Sequence, residues 1–223
     1  MIVMGEIYRT VYRAGEGVYE EKKSRFLSEI HHVESEEEAL LVLSGIRKKH
    51  YDARHHCFAY ILGKKGELKK ASDDGEPSGT AGHPMLAVLD GEGLTDVLVV
   101  VTRYFGGTLL GTGGLVRSYT KSAKDAVMHS VIADWRMAGI LGIRSDYTLF
   151  GKIRYLAESE GLTPGEIVYA DDVFMSLPVP EERLTEIVQK MTEISAGKAR
   201  ITEGEKRYFA DIEGKTVFLQ EGT

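Results

Sequence analysis

Asp96-Val97-Leu98-Val99-Val100-Val101-Thr102-Arg103-Tyr104-Phe105-Gly106-Gly107-Thr108-Leu109-Leu110-Gly111-Thr112-Gly113-Gly114-Leu115-Val116-Arg117 decides how this chain is read. Five consecutive apolar residues, Val97–Val101, are β-branched or leucine and too few for a buried helix, so they predict a buried strand over Asp96–Arg103. Gly106, Gly107, Gly111, Gly113 and Gly114 follow within nine positions. So many glycines imply backbone bends that a side chain would forbid, or close approach by another molecule. Leu115, Tyr119, Ala123, Ala126, Val127 and Val131 then recur at helical spacing and predict a helix over Leu115–Val131. A strand ending in a glycine loop that opens a helix is a layout for holding an anion, because free N–H groups and the helix dipole converge there.

Upstream lies a second loop of the same character, Ser72-Asp73-Asp74-Gly75-Glu76-Pro77-Ser78-Gly79-Thr80-Ala81-Gly82. A short helix is expected over Thr80–Leu89, capped by Thr80. Before it, the composition predicts a strand over Asp52–Leu62, a turn at Gly63–Gly66 and a returning strand over Glu67–Ser72. Ser35-x-x-Glu38 is a capping box, and Ala39, Val42, Leu43 and Ile46 continue it as a helix closed by Arg47-Lys48-Lys49-His50. Val18–Ile30 reads as one extended strand with a polar face. A second unit is expected from near Trp135, with the boundary at 133–137. Its pattern is strand Met137–Tyr147, helix Leu149–Glu160, strand Gly165–Tyr169, strand Val173–Val179, helix Glu181–Ile194 and strand Ala199–Phe209. That β-α-β-β-α-β order predicts a ferredoxin-like fold, with one further strand at Thr216–Leu219.

The chain has 223 residues, of which 43% are hydrophobic and 28% charged, which is ordinary for a globular protein. No stretch approaches the ~20 apolar residues of a membrane span. Residues 1–6 lack the basic and apolar regions of a secretory signal. A single cysteine, Cys57, excludes an internal disulfide and fits a reducing cytoplasm. The formal net charge is −6. Nucleic-acid binding would therefore need a local basic patch, because the whole-molecule field opposes phosphates. Lys22, Lys23, Arg25, Arg47, Lys48, Lys49 and Arg54 concentrate positive charge early, and Tyr60, Tyr104, Phe105 and Tyr119 are candidate stacking surfaces for RNA bases.

Two familiar phosphate motifs are excluded. Gly106-x-x-x-x-Gly111 has the glycine spacing of a phosphate loop, but Thr112-Gly113 stands where Lys-Ser/Thr is required. The dinucleotide pattern G-x-G-x-x-G is absent, and no cofactor is called for. Arg103 could hold a ligand phosphate or carboxylate, or pair with a carboxylate such as Asp74. Asp73, Asp74 and Glu76 could hold Mg²⁺ or Ca²⁺ through oxygen ligands, with His55 or His83 moving protons, or could simply shape a turn and pair with arginines. His55 and His56 alternate across a strand, so one site can use only one of them. Cys57 is expected as a small buried residue, and no nucleophile elbow surrounds Ser78 or Thr80.

Several of these stretches together resemble the YigZ/IMPACT family: Lys23-Ser24-Arg25-Phe26, Asp52-Ala53-x-His55-x-Cys57-x-Ala59-Tyr60, Asp73–Gly82 and Val101–Arg117. The resemblance is strong over roughly residues 18–133 and weaker beyond. Ser118 stands where an alanine is usual. The resemblance implies an α+β chain of two domains. Residues 1–134 would form a domain like the second domain of ribosomal protein S5. Residues 135–223 would form a ferredoxin-like module similar to the last domain of elongation factor G.

It also implies a translation-associated protein, since eukaryotic relatives act in translational control by competing for a kinase activator. The expected partners are RNA, the ribosome or a protein of translational control, without a membrane. In the expected site, Arg103, Arg117 and the amides of Gly106, Gly107, Gly111, Gly113 and Gly114 receive an anion. Lys23 and Arg25 extend that surface. Asp73, Asp74 and Glu76 position the arginines or receive a basic group, and His55, Ser78, Thr80 and Tyr104 complete it. The alternative expectation is a metal-assisted hydrolase or phosphoryl-transfer enzyme built on Asp73, Asp74 and Glu76.

Overall fold

The computed structural model describes residues 7–219. The reading of residues 1–6 lies outside them. The chain divides into two units, Tyr8–Ala133 and the residues from Asp134 onward grouped with Ile7. Its class is α+β, with antiparallel strands throughout the sheets.

In the first unit, β1 (Tyr8–Arg13), β2 (Gly15–Glu21) and β3 (Ser24–His32) precede α1 (Glu36–Lys49). They are followed by β4 (His55–Leu62), β5 (Leu68–Ser72), α2 (Gly82–Gly91), β6 (Val97–Tyr104) and α3 (Thr112–Met128). The sheet order is β2-β3-β6-β4-β5. β6 lies at its centre and is buried on both faces, which is why its sequence is continuously apolar rather than alternating. Val97, Val99 and Val101 face α2 and α3, with Phe26, Ile30, Cys57 and Ala59 beside them. Leu98 and Val100 face α1, with Phe58, Tyr60 and Leu62.

Ser35 caps α1 by accepting from the Glu38 amide, as the capping box predicts. Two expectations need correction. Val18–Ile30 is not one strand but a hairpin, β2 to β3, turning at Lys22-Lys23 with φ of 46° and 65°. That backbone normally selects Asn-Gly, so the sequence carries no turn signal there. Thr80 does not cap α2, because its hydroxyl donates to the Pro77 carbonyl at 2.6 Å. The cap role falls to Asp73, whose Oδ1 accepts from the Ala81 and Gly82 amides, each at 2.9 Å, while Oδ2 accepts from Gly79 at 2.7 Å.

The second unit contains β7 (Val131–Ser145, divided between the units at Ala133), α4 (Tyr147–Ser159), β8 (Ile167–Tyr169) and β9 (Val173–Pro180). It continues with α5 (Leu184–Ile194), β10 (Arg200–Ile212) and β11 (Lys215–Phe218). The strand path is β11-β10-β7-β9-β8. Counted within the β-α-β-β-α-β unit this is 4-1-3-2, the ferredoxin-like arrangement, with β11 added at the outer edge. Both predicted helices bury an apolar stripe: Ile153 and Ala157 of α4 and Ile187 and Met191 of α5 are buried with Leu141, Ile143, Met175, Leu177 and Val179. Among the described residues, no helix is long and apolar enough to cross a membrane.

Candidate functional site

The end of β6 carries the site. Arg103 lies in register with Phe26 of β3 on one side and His55 of β4 on the other, so the three side chains share one sheet face. The Arg103 guanidinium sits 5.4 Å from the Phe26 ring centre and 5.6 Å from that of Phe105. It is only 6% exposed. Its Nη1 donates to Glu76 Oε1 at 2.7 Å and its Nη2 to Ser24 Oγ at 3.3 Å. Its Nε is buried without a hydrogen-bond partner.

Glu76 is the anchor of this network. Its Oε1 also accepts from the Tyr119 hydroxyl at 2.8 Å, and the Cys57 thiol reaches that hydroxyl at 3.3 Å. Cys57 also donates to the Asp73 carbonyl at 3.0 Å. Burial, with neighbouring Cys57 and Glu76, drives the Tyr119 pKa far above that of a free phenol. Burial likewise raises that of Cys57, which disfavours the thiolate that a nucleophile needs.

A cleft of about 450 Å³ opens above this network. Arg54, His55, Glu76 and Arg103 supply its polar wall. Phe105, Leu109, Leu110, Leu115 and Pro77 supply an apolar wall, and Gly111 and Thr112 bring in the start of α3. Gly111 is the N-cap of α3, at φ 71°, a conformation that favours glycine. It has no side chain to cap the helix, and the first turn holds no acidic residue. The helix therefore presents uncapped N–H groups, with positive partial charge, toward the cleft. The two connectors, after β5 and after β6, thus do meet at one opening.

The expected site residues divide accordingly. His55, Glu76, Arg103 and Gly111 line the cleft. Gly113 and Gly114 belong to the first turn of α3 rather than to a loop, and the Arg117 guanidinium lies beside Gly113. Gly106 packs on the Lys23–Ser24 backbone so closely that a Cβ would overlap it, and its amide donates to Ser24 Oγ at 3.1 Å. Gly107, at φ 83°, faces open space.

Lys23 forms the exposed hairpin turn, and Ser78 is exposed. Arg25 pairs with Glu20 at 3.3 Å. It is in register with Tyr104, so both lie on the face opposite Arg103. Tyr104 there donates to Asp52 at 3.1 Å and meets His50 at 3.0 Å, so it does not join the cleft. Of the four proposed stacking aromatics, Tyr60 and Tyr119 are buried, while Phe105 is 48% exposed within the cleft.

The three loop carboxylates face different partners. Asp73 holds the start of α2. Asp74, at φ 42°, accepts from Arg47 at 2.9 Å and from the His56 amide at 2.7 Å. Glu76 holds Arg103, so of the carboxylates open to that arginine it is Glu76 rather than Asp74 that pairs with it. Among the described residues, no group of three or more His, Cys, Asp or Glu side chains is placed to hold a metal ion. Sequence reasoning missed Thr112 and the leucines of the apolar wall, and counted Arg54 only among the early positive charges. Arg54 stands next to His55, and that adjacency was the available signal.

This is a two-unit α+β chain with a partly apolar, cation-lined cleft at the end of its first central strand. The Impact N-terminal domain family matches residues 22–127, and a domain of unknown function, DUF1949, matches residues 143–198. The chain is 43% identical to the IMPACT family member YvyE of Bacillus subtilis, over 90% of this chain and 93% of that one. It is 36% identical to the IMPACT family member YigZ of Escherichia coli, over 82% and 91%. A crystal structure of a hypothetical protein matches 90% of this chain and 98% of its own, with a TM-score of 0.57 and 32% identity. The chain belongs to the IMPACT family.

Proposed function

We propose that this chain is a cytoplasmic binding protein of translational control whose first unit holds a single-stranded segment of RNA. The carrying observation is the convergence of the uncapped α3 N-terminus, Arg54 and the apolar wall around Phe105 on one cleft. A phosphate suits the helix start and the exposed guanidinium of Arg54. A base suits Phe105 and the leucines beside it, and a volume of about 450 Å³ is in the range of small-ligand pockets. The translational setting follows from the family resemblance, which brings the ribosome and protein regulators within reach as larger partners.

Catalysis by a metal-assisted hydrolase has weaker support. Asp73 and Asp74 are committed to backbone amides and Arg47, and neither lines the cleft.

Binding is tested by fluorescence anisotropy of the intact protein with a labelled single-stranded ribo-oligonucleotide at low salt. Arg54→Ala with Arg117→Ala is expected to weaken binding by about tenfold or more, since the exposed cation of the cleft and the one beside the first turn of α3 are both lost. Absence of binding at low salt, or a double variant that binds as well as the parent, would overturn the proposal.

A further inference from the structure

His55 Nδ1 lies 2.8 Å from the Asp74 carbonyl. A carbonyl only accepts, so Nδ1 carries the proton and the neutral ring keeps its lone pair on Nε2. No hydrogen bond within the described residues reaches that nitrogen, and His55 lines the cleft. The ring rests against Gly75, where a Cβ would stand 3.4 Å from Nδ1, so the backbone fixes its orientation. Glu76 follows in the chain and lines the same cleft. Among the described residues, both of its side-chain hydrogen bonds go to Oε1, from Arg103 and from Tyr119, which leaves Oε2 as a second acceptor. The cleft thus offers groups of two kinds. Cationic Arg54 and the helix start offer donors, whereas His55 and Glu76 offer acceptors held in place from behind.

A phosphate uses the donors and a base uses the apolar wall, with N–H groups on its edge available to one of the two acceptors. A phosphodiester has no donor to give them. A ribose hydroxyl does, and a carboxylate accepting from ribose is a recurring form of sugar recognition. The 2′-hydroxyl is also the group that separates RNA from DNA. We propose that His55 Nε2 and Glu76 Oε2 accept from ribose hydroxyls and make the cleft selective for ribonucleotides over deoxyribonucleotides. This inference rests on the reading of the cleft as an RNA site. It adds that the sugar, besides the phosphate and base, is read.

The test compares three labelled single strands of one sequence, ribo, deoxyribo and 2′-O-methyl, by anisotropy with the intact protein at low salt. The parent is expected to bind the ribo strand at least about tenfold tighter than the other two, in line with the loss of one well-made hydrogen bond. His55→Phe, which leaves Glu76 as the remaining sugar acceptor, is expected to cut the ribo-over-deoxyribo preference severalfold. His55→Gln, whose amide oxygen still accepts, is expected to keep part of the preference, and its circular dichroism and melting curve report folding. Arg54→Ala should weaken all three strands together and preserve their ratio. Equal binding of ribo and deoxyribo strands by the parent overturns sugar reading while RNA binding stands. A preference undiminished in His55→Phe also overturns it. Failure of every strand to bind overturns the RNA reading and this inference with it.

Discussion

Removing Arg103 would leave the Glu76 carboxylate buried beside the Tyr119 hydroxyl with no cation to balance it. Arg103 is therefore a poor probe of ligand binding, whatever the ligand, because its loss is felt first by the fold. Breaking a buried ion pair from one side costs about 3–5 kcal/mol, whereas replacing both partners by apolar residues of similar volume is often neutral. Arg103→Ala is thus expected to lower stability by about 3–5 kcal/mol in urea unfolding followed by circular dichroism, while Arg103→Met with Glu76→Leu recovers much of the loss. A single variant as stable as the parent would mean the pair carries no structural role. The pairing itself was not legible in the sequence. The partners are 27 positions apart, and Asp73, Asp74 and Glu76 are equivalent candidates until the loop geometry assigns them. His55 was better marked, since strand alternation alone places it on one face and His56 on the other.

The β2–β3 hairpin shows how an element can hide. Its turn residues, Lys22 and Lys23, both adopt positive φ, where a side chain is strained and no glycine, asparagine or proline announces the bend. Buried and exposed residues alternate within each strand, and only the exposed Lys22-Lys23 pair breaks the pattern, so the segment reads as one strand. Lys22→Asn with Lys23→Gly is expected to raise the unfolding free energy by about 0.5–1 kcal/mol, by supplying residues suited to the required conformation. A loss of stability on chemical denaturation would count against strain at this turn. α2 hides its cap for a related reason: Asp73 reaches forward to Ala81 and Gly82, eight and nine positions on, beyond any local capping pattern. By contrast, the helix stripes of the second unit and the central strand of the first were legible because burial writes itself directly into apolar spacing.

For the molecule as a whole, a net charge of −6 works against any polyanion, so the proposed RNA site relies on the few groups at the cleft rather than on a broad basic face. The affinity should then fall only gently with salt. With about two phosphates neutralised, log K against log salt is expected to have a slope of roughly −1.4 for a single strand. A slope several times steeper in a titration of the intact protein would point to an extended basic track elsewhere. The division into two units, the ferredoxin-like order and the existence of a glycine loop were readable from pattern. The apolar wall was not, because Leu109, Leu110 and Leu115 look like ordinary core until the chain leaves them beside an opening.

Cys57, sealed in the first unit between the Asp73 carbonyl and Tyr119, has one more consequence. As the chain's sole thiol, it should stay silent to alkylating reagents until the surrounding sheet and helices part. Its labelling rate is then a built-in clock for how often that half of the protein opens.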